Sequence, residues 1–172
     1  MTSSAFSPYA VIVEGRKEMA SAFERTLTPS TVRTERPRVE ETPSRLNVFV
    51  VFTSVEATLA ALKQAGRLAA ELHGRIILVA LEIVPYPLPL ARPPVGIDWN
   101  ERRLALIAGQ SLVETTVHIY LCRDGEQTLE SVLDPHSLVV LGARRRWWPV
   151  RERKLARRLR RAGHEVIFIK ME

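Results

Sequence analysis

From residue 46 onward the chain is a series of short apolar runs separated by stretches of helical spacing or of turn residues. Asn47 to Phe52 (NVFVVF) is almost continuously apolar, the pattern of a central strand covered on both faces. Arg75 to Val84 (RIILVALEIV), Val113 to Cys122, Ser137 to Leu141 and Val166 to Ile169 read as four further strands. After the first run, Thr53 and Glu56 have the spacing of a capping box, in which hydroxyl and carboxylate satisfy free backbone donors. They predict a helix with Val55, Leu59, Leu62, Ala69 and Leu72 on its apolar face, ended by Gly74 as the left-handed residue.

Pro85 to Pro94 (PYPLPLARPP) carries five prolines in ten residues, which predicts an extended, stiff loop. Asp98 with Glu101 repeats the capping pattern and opens a helix to about Ala108, and Asp124 with Gln127 caps a short one over Glu126 to Leu133. A last helix has Leu155, Ala156, Leu159 and Ala162 on one face and Arg153, Arg157, Arg160 and Arg161 around the rest. Strands alternating with helices, with no two-residue hairpin turn between them, predict an α/β fold. Its form is an open five-stranded parallel sheet with helices on both faces. In such sheets ligands sit at the carboxyl ends of the strands, where the strand order reverses.

The first 45 residues follow another pattern. Tyr9 to Val13 reads as a short strand and Gly15 to Leu27 as a helix, with Met19, Ala22, Phe23 and Leu27 on one face. Thr28 to Arg45 has three prolines, many charges and few apolar anchors, so it cannot offset its ordering entropy. The expected organisation is therefore an N-terminal arm and linker over 1–45, largely flexible, and one α/β domain over 46–172.

Charge changes this picture in one place. The formal charge is +6 overall, but residues 144–172 hold eleven bases and three acids, while residues 1–44 are balanced and 45–143 carry an excess of two acids. A field concentrated in that way draws anions to one part of the surface without choosing among nucleotide, nucleic acid, membrane and acidic protein. Cys122 is the only cysteine, so no internal disulfide forms, and no basic n-region or long apolar stretch marks a leader or a membrane span. These features point to a cytoplasmic protein. His73, His118, His136 and His164 are scattered rather than spaced as metal ligands, and no nucleophile is paired with a base in a known spacing.

The stretches NVFVVFTSVEATLAALKQAGRLAAELHGRIILVALEIV, PYPLPLARPP and SLVVLGARRRWW leading to LARRLRRAGHEVIFIK resemble the universal stress protein family over about Leu46 to Lys170. The resemblance implies a strand order 3-2-1-4-5, a switch point where Thr53 and Gly142 face each other, and a non-enzymatic stress-response or signalling role. Members that bind ATP carry a G-x2-G-x9-G-[S/T] pattern after the fourth strand. Of it this chain keeps Gly142 alone, with Arg145 where the second glycine would stand and Phe52-Thr53 where an Asp is common. The run Arg144 to Trp148 is also similar to a turn in the stress-protein-like domain of potassium-responsive sensor kinases, a regulatory module.

The candidate ligand-binding residues are thus Thr53, Ser54, Gly142, Arg144, Arg145, Arg146 and Trp147. The arginines would contact phosphate oxygens and a tryptophan would stack on a base. ATP or another nucleotide is the implied ligand, and a regulatory protein the alternative partner. The resemblance further implies a homodimer paired through Val166, Ile167, Phe168 and Ile169, whose edge would otherwise be exposed. A competing expectation is a basic electrostatic adaptor that docks its arginine-rich helix on nucleic acid or an anionic membrane.

Overall fold

The computed structural model of the protein describes residues 23–27, 46–90, 92–144 and 150–170. In chain order the strands are β1 (Phe23–Leu27), β2 (Asn47–Val51), β3 (Arg75–Ile83), β4 (Thr115–Cys122), β5 (Leu138–Ala143) and β6 (Glu165–Lys170). The helices are α1 (Val55–Glu71), α2 (Ile97–Ala108), α3 (Gly125–Val132) and α4 (Val150–Arg161). Five strands, β2 to β6, form an all-parallel sheet ordered β4-β3-β2-β5-β6, which is the expected 3-2-1-4-5 counted from β2.

Alternation along each strand sends side chains to two layers. Val48 and Val50 face α1 and α2, with Ile76, Leu78, Val117 and Ile119 beside them; Phe49 and Val51 face α3 and α4, with Val79, Leu129, Leu141 and Leu159. Both faces are buried, which is why the β2 sequence shows no polar interruption. Each fully buried Val or Leu of this kind stabilises the fold by about 1.5–3 kcal/mol relative to exposure.

β1 corrects the expected arm. Phe23–Leu27 is not helical but pairs antiparallel with β4, Phe23 opposite Leu121 and Leu27 opposite Val117. β4 would otherwise end the sheet with an open row of amides and carbonyls, and satisfying that row outweighs weak local helical spacing. Five residues of the first 45 therefore belong to the sheet. The strand expected at Tyr9–Val13, the remainder of the expected helix and the Thr28–Arg45 linker lie outside the described residues.

Three local expectations also change. The residues of α1 that meet the sheet are the small ones, Ala57, Ala61, Ala65 and Ala69 at four-residue spacing, while Leu72 is half exposed. Alanine lets the helix axis approach the strands closely, with Leu62 buried among them and Leu59 partly buried against the same core. At the end of α1 the left-handed residue is His73, at φ 50°, and the Gly74 amide closes the turn on the Ala69 carbonyl at 2.8 Å. Gly74 is needed for another reason: a Cβ there would stand 2.6 Å from the Leu46 carbonyl oxygen. The proline-rich loop is not extended, since the Leu88 amide bonds back to Pro85 and that of Arg92 to Pro89, and α2 starts at Gly96 with no side-chain cap. Asp124 does cap α3, accepting from the Gln127 amide at 3.0 Å.

Candidate functional site

The strand order reverses between β2 and β5, and at their carboxyl ends Thr53 Oγ1 donates to the Gly142 carbonyl at 2.8 Å. Thr53 and Gly142 thus face each other as expected, but the contact uses the hydroxyl that was to cap α1. Ser54 takes over the cap, its extended backbone letting Oγ accept from the Ala57 amide at 3.4 Å. The Thr53 amide in turn reaches Thr58 Oγ1 at 3.3 Å.

Glu56, the expected carboxylate of a capping box, turns outward to Arg144 instead. Arg144 Nη2 and Nε lie 2.6 and 3.1 Å from the same carboxylate oxygen. The bond to the guanidinium holds the Glu56 carboxyl below its ordinary range. Both side chains are more than half exposed, so solvent screens the pair and its weight in stability is small. Gly142 is a packing position: a Cβ there would stand 2.0 Å from the Ala57 carbonyl oxygen. β5 and α1 touch backbone to backbone, and that contact explains this glycine without any phosphate. Arg145, Arg146 and Trp147 lie outside the described residues.

A second group of side chains completes the carboxyl end. The Arg103 guanidinium lies 5.5 Å from the centre of the Phe52 ring and 5.2 Å from that of Trp99, within cation–π range of both. Beside it Asn100 Nδ2 donates to Glu82 Oε2 at 2.6 Å. Phe52, Glu82, Asn100, Arg103 and Leu104 border a cleft of about 80 Å³. Arg123 lies 4.1 Å from the Tyr86 ring centre and donates to the Val84 and Leu88 carbonyls, which holds the proline-rich loop against the sheet. Sequence reasoning missed Phe52, Trp99 and Arg103. The one available signal was Trp99 and Arg103 four apart on α2, next to each other on a helix face.

Chemically this end offers guanidinium donors and aromatic faces. Trp99 is 57% exposed and Tyr86 81%. The cleft is well below the roughly 300–1,000 Å³ of sites that enclose a drug-sized ligand, so a nucleotide would lie across this surface rather than within it. Among the described residues no three His, Cys, Asp or Glu side chains are grouped as metal ligands. Cys122 is buried, and burial pushes its thiol pKa up, which keeps it protonated and unreactive.

The side chains of the expected dimer strand lie on the two faces of the sheet. Val166 and Phe168 pack with the α3–α4 layer, Ile167 and Ile169 with the α1–α2 layer. The Glu165 amide bonds to the carbonyl of Ser137, just before β5, so by alternation the Val166 carbonyl points to the outer edge, where Arg160 Nη2 donates to it at 2.8 Å. On α4, Ala156 and Leu159 are buried while Arg153, Lys154, Arg157 and Arg161 form an exposed stripe; Ala162, expected on the apolar face, is exposed beyond the helix end. Arg158 turns to α3, pairing with Glu126 at 2.6 Å and with both oxygens of Glu130, which holds its positive charge more firmly. No helix among the described residues is long and apolar enough to cross a membrane. Comparison with protein-family models finds no match to this chain, and comparison with curated proteins finds none either.

Proposed function

We propose that this chain is a non-enzymatic stress-response or signalling module of the universal stress protein type. In this reading it is a cytoplasmic homodimer paired along β6, and its carboxyl-end surface takes an anionic ligand, a nucleotide by preference. The observation that carries the reading is the Thr53–Gly142 bond at the reversal of strand order, the place where open α/β sheets bind ligands. Arg103 and Arg144 flank it with donors suited to phosphate, and Trp99 adds an exposed face on which a base can stack. The hydroxyls of Thr53 and Ser54 are committed to the backbone, so recognition falls to these side chains rather than to a glycine nest.

Titration of ATP and of a cyclic dinucleotide by calorimetry and thermal shift tests the reading. Saturable one-to-one binding, weakened at least tenfold by Arg103→Ala and by Arg144→Ala, is the expected result; no response to either nucleotide at millimolar concentration would overturn it.

The exposed stripe on α4 favours a second reading, the electrostatic adaptor, because Arg153, Lys154, Arg157 and Arg161 form no ion pair with a described residue. Duplex DNA and anionic vesicles, each titrated at two salt concentrations, separate the two. Binding that falls steeply with salt and ignores sequence supports the adaptor.

A further inference from the structure

One cavity lies away from the carboxyl end, between the outer flank of α1 and the connection from α2 to β4. It encloses about 560 Å³, inside the range of small-molecule sites. Leu59, Leu62, Leu112 and Val113 supply an apolar lining, and Leu112 is fully exposed at its lip. Two cations, Lys63 and Arg67, stand four residues apart on the same flank of α1. Both are exposed, and neither is ion-paired with a described residue, so the like charges face each other across one turn.

Gly66 is the independent sign that the cavity is for something. A glycine inside a helix is unfavourable relative to alanine, and it persists where some body needs the space. Here a Cβ would meet nothing within 4 Å beyond the helix's own backbone, so no part of the described fold asks for it. The space that Gly66 leaves open belongs to the cavity.

We propose that this groove binds an amphipathic carboxylate, a saturated fatty acid whose chain lies along α1 over Gly66 and whose carboxylate meets Lys63 and Arg67. The stripe from Leu59 to Ala70 runs about 16 Å at 1.5 Å per residue, which makes a chain of about twelve carbons the upper limit of what the groove can take. An amphipathic peptide helix, about 10–12 Å across with its side chains, would leave most of its bulk outside a groove of this volume. A nucleotide finds no aromatic face among the lining residues. The site does not depend on the nucleotide reading.

The test uses the full chain and a fluorescent dansylated undecanoic acid as probe, with dodecanoate below its micelle concentration and dodecanol as competitors. The expected result is a saturable one-to-one rise in fluorescence, reversed by dodecanoate and at least tenfold less readily by dodecanol. Gly66→Leu, which fills the space and favours helix, is expected to weaken probe binding at least tenfold. So is Leu112→Glu, which changes only an exposed side chain and covers the case in which the first variant fails to fold. Lys63→Glu with Arg67→Glu is expected to remove the preference for the acid over the alcohol. Arg103→Ala, which disables the nucleotide surface, should bind the probe as the unaltered protein does. No saturable rise, equal displacement by alcohol and acid, or full binding by folded Gly66→Leu would each overturn the proposal, as would binding of an acidic amphipathic peptide with no response to the fatty acid.

Discussion

At the first turn of α1 a Cβ on Gly142 would stand 2.0 Å from a backbone oxygen, whereas nine residues further along the helix a Cβ on Gly66 would meet nothing beyond its own helix within 4 Å. The first region is closed. Thr53, Ser54, Glu56 and Arg144 each spend a polar group on a partner within the fold, and the neighbouring cleft holds about 80 Å³. The second is open, apolar and bordered by two cations, with about 560 Å³ of space. Topology directs attention to the carboxyl end of the sheet, while the larger of these two spaces lies on the flank of the helix. What a turn at the reversal of strand order offers is thus location, and what it can hold depends on which of its groups the fold has already used.

Four measurements test this contrast. Gly142→Ala should cause the largest change, a loss of about 3 kcal/mol or more in denaturant unfolding, because the added methyl meets backbone that cannot give way. A loss under about 1 kcal/mol would mean that β5 and α1 are not in such close contact. Next, Thr53→Val should cost about 1 kcal/mol by leaving the Gly142 carbonyl without its donor, with Thr53→Ser recovering most of it.

Gly66→Ala should act in the opposite direction, stabilising the chain by roughly 0.5–1 kcal/mol, since it lowers the backbone entropy of the unfolded state and clashes with nothing. Destabilisation there would show that some body already fills the groove. The smallest effect concerns pH. Because Arg144 lowers the folded-state pKa of Glu56, the pair's contribution is present above the unfolded carboxylate pKa and is lost as pH falls through the lower folded value. Following the Glu56 carboxyl by NMR titration should show its midpoint rise in Arg144→Ala, with little change in overall stability; an unmoved midpoint would remove that ion pair from the description.

Much of the architecture was legible in the pattern of apolar runs. Five runs gave five strands with bounds within a few residues, and the spacing of Asp124 and Gln127 marked the start of α3 correctly. The errors share one cause. Thr53 has as good a capping residue as any by local spacing, yet its hydroxyl goes to a carbonyl 89 residues away and Ser54 caps in its place. Phe23 and Leu27 fit one helical face, yet the open edge of β4 draws them into a strand. The alanines that bury α1 looked weaker than its leucines, because the closeness of helix and sheet is a property of the pair.

The candidate site divides along the same line. The amino-acid sequence alone determined that the strands are parallel and buried on both faces, that the basic residues gather after Gly142, and that the chain forms no internal disulfide, since each follows from local periodicity or composition. That Gly142 is a contact glycine and that Arg103 lies between two aromatic rings follows from the three-dimensional arrangement. The same arrangement sets Gly66 beside a groove rather than against a neighbour. Those facts depend on residues far apart in the chain reaching atomic contact or failing to, and spacing along one element carries no record of what stands opposite it.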